Sequence, residues 1–430
     1  MYIDYEKIGK ILRIGKSFFY NMKVKQNLNY IKKNQQFVLK DLRDIFPLNV
    51  IFYVYDESKW KSQSVYDLME KDERFCPLVV VTKNCAPEDN PNFQTAEDVK
   101  RCYEFFKSKG MNVEYGYDIS TRHNVGRAVS LQDWDKFIPL EKFNPDIIIY
   151  SHPWYVYKTQ GPVMCSKYAL TYYIPYFLPA SEQWHEYGLR FHQYIYRHYV
   201  PTELVRDYYV KNMPSIEHSF RVVGHPIFDE YLNKEKILNT NSSPYVIYAP
   251  HWTVCGDNLK FGTFKWSGEK MLEFAKAHKE INWVFRPHPL LYNFVITSGY
   301  MRKQDIDKYY DEWKSFATFS EGGDYIDLFR QSAAMITDCG SFLTEYFATE
   351  NPVIHLVSEQ LKPNSTIKEI DKTYYTAHNV DEMIKHLHHV ILDKSDYKKE
   401  ERVKLLEKLN LKNSSSAEKI INDILSDLVV

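Results

Sequence analysis

Several common signatures are missing from this sequence, and each absence narrows the class. The six cysteines, at 76, 85, 102, 165, 255 and 339, form no CxxC pair and no Cys/His cluster of metal-like spacing. A disulfide frame and a structural zinc site therefore have no support, and a reducing compartment fits best. No apolar run approaches the ~18–20 residues that span a bilayer, and the start MYIDYEKIGKILRIGK is too charged for a secretory signal. A cytoplasmic protein is expected. The net charge is only −1, from 55 Lys+Arg against 56 Asp+Glu, so the basic excess of a dedicated nucleic-acid binder is lacking. Internal repeats and low-complexity segments are absent as well.

What is present is a foldable chain of 430 residues, 44% hydrophobic and 26% charged, long enough for two or three domains. Aromatic residues are abundant, with 35 Tyr and 25 Phe beside only 15 Gly. Because Tyr carries an apolar ring and a polar tip, half-wet aromatic surfaces at a cleft or a membrane are expected.

The neutral total hides a local imbalance. Residues 1–40 hold nine Lys/Arg and two acids, Asp4 and Glu6. On a helical wheel Ile8, Ile11, Leu12, Phe18, Phe19 and Met22 share one face and Lys10, Arg13 and Lys16 lie opposite, the pattern of an interfacial helix on anionic lipid. The alternative is an ordinary surface helix packed on the body, and Gly9 and Gly15 weaken any long helix there.

From about residue 46 short apolar runs alternate with helical stretches. Val50–Tyr55, Leu78–Thr82, Asp146–Tyr150, Ala169–Ile174 and Phe220–Val223 read as strands, as do Tyr245–Tyr248, Trp283–Phe285, Ala333–Thr337 and Val353–Leu356. Helices are expected near 96–109 and 267–280. This β/α alternation implies an α/β protein with two doubly wound parallel sheets. The junction falls in the turn-rich NTNSS at 239–243. The expected division is a basic helical extension at 1–45, a first domain at 46–238, a second at 244–395, and C-terminal helices at 396–430. In the last helix Ser415-x-x-Glu418 fits a capping box, and Ala417, Ile420, Ile421, Ile424, Leu425 and Leu428 form an apolar face that must dock on something.

Ligands of open α/β sheets bind beyond the carboxyl ends of the strands. Four histidines follow strands in this sequence: His152, His225, His251 and His288. Three are followed by proline, where 15 His and 19 Pro in 430 residues give about 0.7 His-Pro pair by chance. Proline stops the strand and restricts its neighbour, which holds the imidazole at the sheet rim. Histidine there can exchange protons or donate to phosphate oxygens; a lone one is more often structural, but four after strands shift the balance towards function. Further along, Thr337-Asp338-Cys339-Gly340-Ser341 reads as strand, small-residue turn and short helix, with backbone N–H groups and a hydroxyl placed for a phosphate. The segment is neither a P-loop nor GxGxxG, and Ser341 could be only an N-cap. Paired with Arg286-Pro287-His288-Pro289 it becomes a candidate diphosphate site.

The order Gly224-His225-Pro226-Ile227-Phe228-Asp229, Tyr248-Ala249-Pro250-His251-Trp252-Thr253, Arg286-Pro287-His288-Pro289 and Ile336-Thr337-Asp338-Cys339-Gly340-Ser341 resembles the CDP-glycerol glycerophosphotransferase family. Those bacterial enzymes build teichoic-acid-like and capsular polyol-phosphate polymers. The resemblance implies a GT-B architecture, two Rossmann-like domains facing a cleft, with the donor nucleotide on the second and the acceptor entering between them. It also implies work at the inner face of the cell membrane, in agreement with the basic N-terminal stretch. The family pattern differs at Cys339-Gly340-Ser341, commonly Tyr-Ser-Ser, and at His251-Trp252-Thr253, usually Thr-Trp-Arg. Its acceptor-side Trp-His-Gly-Thr-Pro has no full counterpart; Ser151-His152-Pro153 is nearest by position and Trp184-His185 by letters.

The expectation is thus a transferase that moves glycerol- or ribitol-phosphate from a CDP-activated donor to a hydroxyl of a growing polymer or lipid-linked primer, releasing CMP. Catalytic candidates are His152 as base, with His225 and His251 as alternatives, and His288. Donor candidates are His251, Trp252, Arg286, His288, Asp338, Gly340, Ser341 and Glu345. The reading requires no cofactor, no metal site is evident, and a donor diphosphate could bring Mg²⁺ with it. A nucleotide-sugar glycosyltransferase or epimerase on the same scaffold, and a non-catalytic polymer-binding scaffold, are the alternatives, since shared architecture does not fix chemistry.

Overall fold

A computed structural model of the chain describes residue 29 and residues 33–88, 93–120, 136–180, 190–232, 244–254, 259–321, 325–411 and 415–429. The amphipathic stretch from Ile8 to Met22, the NTNSS junction and Trp184-His185 lie outside the described residues.

The strands form two sheets, every pair within them parallel. The first contains β1 (Leu48–Val54), β2 (Phe75–Val81), β3 (Val113–Tyr115), β4 (Ile147–Tyr150), β5 (Leu170–Tyr173), β6 (Arg197–Val200) and β7 (Phe220–Val222). The second contains β8 (Tyr245–Ala249), β9 (Trp283–Phe285), β10 (Thr318–Phe319), β11 (Ser332–Thr337), β12 (Val353–Leu356) and β13 (Tyr375–Ala377). Their spatial orders are β3-β2-β1-β4-β5-β6-β7 and β10-β9-β8-β11-β12-β13. In both, the first strand of the domain lies inside the sheet and the chain winds outwards to either side, the doubly wound arrangement.

The continuous apolar runs follow from this order, because a central parallel strand is covered on both faces. Val50, Phe52 and Val54 of β1 enter one core, and Ile51 and Tyr53 enter the other, as a period of two requires. In the second sheet Val246 and Tyr248 face one core, and Ile247 and Ala249 the opposite one. Much of the aromatic surplus lies in these cores. Tyr53, Tyr66, Tyr117, Tyr150, Tyr172 and Tyr199 are all fully buried.

Capping fixes the helix starts. Thr95 and Asp98 form a complete capping box at Ala96–Ser108, and Asn364 and Asn379 cap Ser365–Asp371 and Val380–His386. The expected helix at 267–280 begins three residues earlier, at Phe264. The last two helices separate: Leu405 and Leu406 of Lys399–Lys408 join a core with β8 and β11 residues, whereas the apolar face of Ser416–Leu428 returns to the core of the first domain. Ser415 accepts from the N–H of Glu418, and Asp229 takes the next donors, accepting from the N–H groups of Ser416 at 2.7 Å and Ala417 at 2.8 Å. The other face of this helix is acidic, and Asp423 and Asp427 meet Arg221 at 3.1 Å and Arg197 at 2.8 Å.

Candidate active site

The carboxyl ends of the two sheets meet. Asn364 Nδ2 donates to Pro179 O at 2.6 Å, and a Cβ on Gly340 would stand 2.6 Å from the Phe261 ring and 3.1 Å from Ala180. Gly340 thus lies where a second-domain turn packs against the first domain.

The four sequence candidates do follow strands in the structure, His152 after β4, His225 after β7, His251 after β8 and His288 after β9, and His378 follows β13. Three share one local device. The ring Nδ1 accepts the N–H of the residue two further on: Ile227 for His225 at 3.3 Å, Thr253 for His251 at 3.3 Å, and Leu290 for His288 at 3.1 Å. An accepting Nδ1 is unprotonated, so in all three neutral rings the hydrogen sits on Nε2. In His225 that Nε2–H is used within the fold, on Pro175 O at 2.7 Å, so this ring ties β7 to the segment after β5. His251 and His288 stand with ring centroids 5.4 Å apart, and Trp252 packs beside them, 4.9 Å from Phe294.

His152 is different. It is 1% exposed, its ring lies 3.7 Å from that of Tyr55, Nδ1 is 3.1 Å from Ser151 Oγ, and its buried Nε2 has no hydrogen-bond partner. In the tautomer that a base requires, Nδ1–H donates to Ser151 Oγ and Nε2 is the unprotonated nitrogen.

Charge reaches this cluster from a loop the sequence did not single out. After β1 the chain runs Asp56-Glu57-Ser58-Lys59-Trp60-Lys61. Lys59 pairs with Asp56 at 3.2 Å and lies over the Tyr55 ring at 4.5 Å. Burial, and then the Lys59 ammonium, hold the imidazoles of both His152 and His288 well below the usual histidine range, His288 at about 4. One first-domain cation thus acts on a histidine of each domain. Lys61 crosses further: Nζ donates to Tyr325 Oη at 2.5 Å, Tyr325 Oη donates to Glu345, and Lys61 and Glu345 are 3.6 Å apart. Arg286 stacks over the same Tyr325 ring at 5.2 Å and donates to Ser320 Oγ at 2.5 Å. The available signal was position, since Lys59 and Lys61 follow a strand just as the histidines do.

The remaining donor-side candidates fall into two groups. Asp338 is saturated from within, accepting from His251 N at 2.6 Å, Thr263 N at 2.6 Å and Thr263 Oγ1 at 2.8 Å, so it fastens the 251–263 loop to β11. That loop closes so tightly that a Cβ on Gly262 would lie 1.5 Å from Thr253 O. Glu345 is committed to Tyr325 and Lys61. Gly340 and Ser341 start the helix Gly340–Glu345, whose N-cap residue Cys339 makes no side-chain cap bond, and Ser341 is partly exposed. The structure thus groups Lys59, His152, Trp252, His251, Arg286 and His288 around the junction, and gives His225 and Asp338 holding positions.

These neutral, buried rings make stability sensitive to acid. Burial depresses His225 to about 4, against ~6.5 in an unfolded chain. A folded pKa below the unfolded one means the unfolded state binds more protons in between, so stability is present above pH 6.5 and lost as the pH falls towards 4. His225 alone is expected to account for about 3 kcal/mol over that window. Urea unfolding at pH 7 and pH 4.5, for wild type and His225→Asn, would show it; an equal loss in both would assign the acid sensitivity elsewhere.

Among the described residues no group of three His, Cys, Asp or Glu could hold a metal ion, and no helix is long and apolar enough to cross a membrane.

Solved structures with the same architecture place this fold. The chain is similar to UDP-GlcNAc 2-epimerase from Neisseria meningitidis bound to UDP-GlcNAc, with 14% identity and a TM-score of 0.55 over 88% of this chain and 99% of that one. It is similar to S. aureus MnaA in its UDP co-structure, with 11% identity and a TM-score of 0.56 over 88% and 96%. A variant of the wall teichoic acid polymerase TagF aligns over 99% of this chain and 98% of that one, with 13% identity and a TM-score of 0.54. The fold is GT-B. No protein-family model matches the sequence, and no curated protein matches it. At such identities GT-B describes the two sheets and their junction, and the chemistry must come from the residues there.

Proposed function

We propose that this GT-B protein is a transferase that moves a polyol-phosphate, glycerol- or ribitol-phosphate, from a CDP-activated donor to a hydroxyl of a growing cell-surface polymer. The observation that carries the reading is the pair His251 and His288, ring centroids 5.4 Å apart, each with Nδ1 accepting a backbone N–H so that Nε2 carries the hydrogen. A donor diphosphate at this junction would meet the Lys59 ammonium, the Arg286 guanidinium, and the Nε2–H groups of His251 and His288, all positive or donating. The acceptor hydroxyl would reach the Nε2 of His152 only when the junction opens, since that nitrogen is buried in the closed structure. Its oxygen bonds to the polyol-bearing phosphorus, the bond from that phosphorus to the bridging oxygen breaks, CMP leaves, and the hydroxyl proton passes to His152. The catalytic work is then mainly positioning and charge stabilisation. The TagF likeness supports a polymer-building role, and the basic first forty residues support work at an anionic membrane surface.

Product analysis tests this. Incubation with CDP-glycerol or CDP-ribitol and a polymer acceptor is expected to release CMP, and either donor should raise the melting temperature because it binds only the native state. The epimerase likenesses supply the competing reading. Stabilisation by UDP-GlcNAc alone, with release of UDP or with epimerisation, would replace the polyol-phosphate reading by a nucleotide-sugar one. Within the proposed site, His288→Ala and Lys59→Met are each expected to weaken CDP-donor binding by about 10–100-fold, the worth of a bond to a charged group. Unchanged affinity by calorimetry would remove that residue from the donor site.

A further inference from the structure

A general base must touch its substrate, so something has to uncover the buried Nε2 of His152. Two tyrosine rings lie on this imidazole, Tyr55 with centroids 3.7 Å away and Tyr53 5.6 Å away. They are held in different ways. Tyr53 is pinned within β1, where its ring packs 5.3 Å from that of Tyr150 and its hydroxyl donates to Gln160 Oε1 at 3.2 Å. Tyr55 is the first residue beyond that strand. Its carbonyl is fixed by Gln94 Nε2 at 2.5 Å, but its buried hydroxyl has no hydrogen-bond partner.

The two rings in closest contact thus each carry a buried polar atom without a partner, Tyr55 Oη and His152 Nε2. Leaving such atoms unpaired costs free energy that water or a substrate hydroxyl returns. A turn of the Tyr55 side chain towards solvent gives its hydroxyl to water and bares the imidazole, with no change in the backbone that Gln94 holds. Lys59 opposes the turn. Its ammonium lies 4.5 Å over the Tyr55 ring and 5.7 Å from the centroid of Tyr176, and its side chain is 15% exposed, so solvent begins just beyond the ring. Lys59 is tethered there by Asp56 at 3.2 Å, whose carboxylate also accepts from Ser58 N at 3.0 Å and Ser58 Oγ at 2.7 Å. A phosphate attracts an ammonium more strongly than an aromatic face does.

We propose that Tyr55 is a gate over His152 and that Lys59 is its bolt. A diphosphate that draws Lys59 off the ring face frees Tyr55 to turn out, so the acceptor hydroxyl gains the base only after the donor is in place. The gate follows from how the two tyrosines are held. Its link to the donor rests on the proposed function.

Diethyl pyrocarbonate acylates accessible, unprotonated imidazole nitrogens, and peptide mass spectrometry of the full chain reads each histidine separately. At pH 7 His152 is expected to react at least about tenfold more slowly than the exposed His388, as a group reached only through local opening does. Lys59→Met should speed His152 several-fold, and Tyr55→Ala should speed it further. Tyr55→Phe keeps the cover but gains no hydrogen bond by turning out, so it should protect His152 more firmly than wild type does. Buried His225 is the control for folding: if Tyr55→Ala exposes it too, that variant has unfolded and the other two decide. Inorganic pyrophosphate, as the probe for the donor diphosphate, should speed His152 in wild type and not in Lys59→Met. Reaction of wild-type His152 at the rate of His388, or unchanged protection in both Lys59→Met and Tyr55→Phe, would overturn the gate. Opening in Lys59→Met without any response of wild type to pyrophosphate would instead overturn the donor's hold on Lys59 and leave the gate standing.

Discussion

Replacing His152 with glutamine is expected to reduce turnover by about 10²–10⁴-fold, the usual loss of a general base, while CDP-donor affinity stays at the wild-type value. Glutamine retains much of the ring's volume against Tyr55, so the effect reads chemistry and not collapse of the wall. The imidazole lies in a fully buried place near Lys59, and both conditions keep it neutral far below pH 6.5. The basic form is therefore complete throughout pH 6–8, and the histidine-dependent rate should be flat there. A rate that halves as the pH falls through 6.5 would point to a solvated histidine and exclude His152. Its weak basicity is compatible with the reaction: a loose phosphoryl transition state needs little proton removal before the bond to the leaving group stretches. What the step needs is an oriented hydroxyl, and the unpartnered Nε2 supplies an acceptor for one. The loss should lie towards the lower end of the range. Normal turnover in His152→Gln would remove the residue from the mechanism.

The sheets were legible in the sequence wherever both faces of a strand are buried. Ile147-Ile148-Ile149-Tyr150 and Tyr245-Val246-Ile247-Tyr248 announce themselves because alternate residues serve different cores and all must be apolar. The strands that escaped notice are those the rule does not cover. β3, β10 and β13 are edge strands of two or three residues. β6 carries Arg197 and His198, polar groups that meet Asp427 at 2.8 Å and Ser219 at 2.8 Å. Those partners are distant in sequence, so local pattern could not reveal them.

The candidate site was legible as letters but not as an assembly. Histidine after a strand located the rings, and the structure adds that three of them, His225, His251 and His288, hold one tautomer through the backbone N–H two residues on. The letters could not distinguish His225, whose second nitrogen is spent on Pro175, from His152, whose second nitrogen is bare. Asp338 has a similar history: an acid after a strand suggests a ligand, and three internal donors within 2.8 Å show a fastening. The lysines were missed for a simpler reason. Lys61 finds Tyr325 across 264 residues of chain, a contact that exists only once two separately wound sheets have met.

That contact carries the second large expectation: Lys61→Met should destabilise the protein by about 3–5 kcal/mol, because it leaves Glu345 as an uncompensated buried charge. The Lys61 and Glu345 side chains are 7% and 2% exposed, so solvent cannot replace the missing ammonium. Tyr325 still donates one hydrogen bond, but a phenol brings no net charge. Adding Glu345→Gln should recover most of the loss, since a neutral amide can still accept from Tyr325, and a buried pair removed whole is far less harmful than one broken. The pH dependence gives an independent check. Burial already pushes the Glu345 carboxyl up from its ordinary range, and losing Lys61, which opposes that shift, pushes it higher. A folded pKa raised above the unfolded value means stability is intact below ~4.5 and declines as the pH rises through the folded pKa. The penalty of Lys61→Met should therefore shrink on acidification, measured against wild type at each pH. A urea-unfolding double-mutant cycle at pH 7.5 and pH 5 reads both effects. A single-variant loss below about 1 kcal/mol, the level of a solvated ion pair, or one that does not change with pH, would mean that water reaches Glu345 and that the junction of the two sheets is not held closed by this pair.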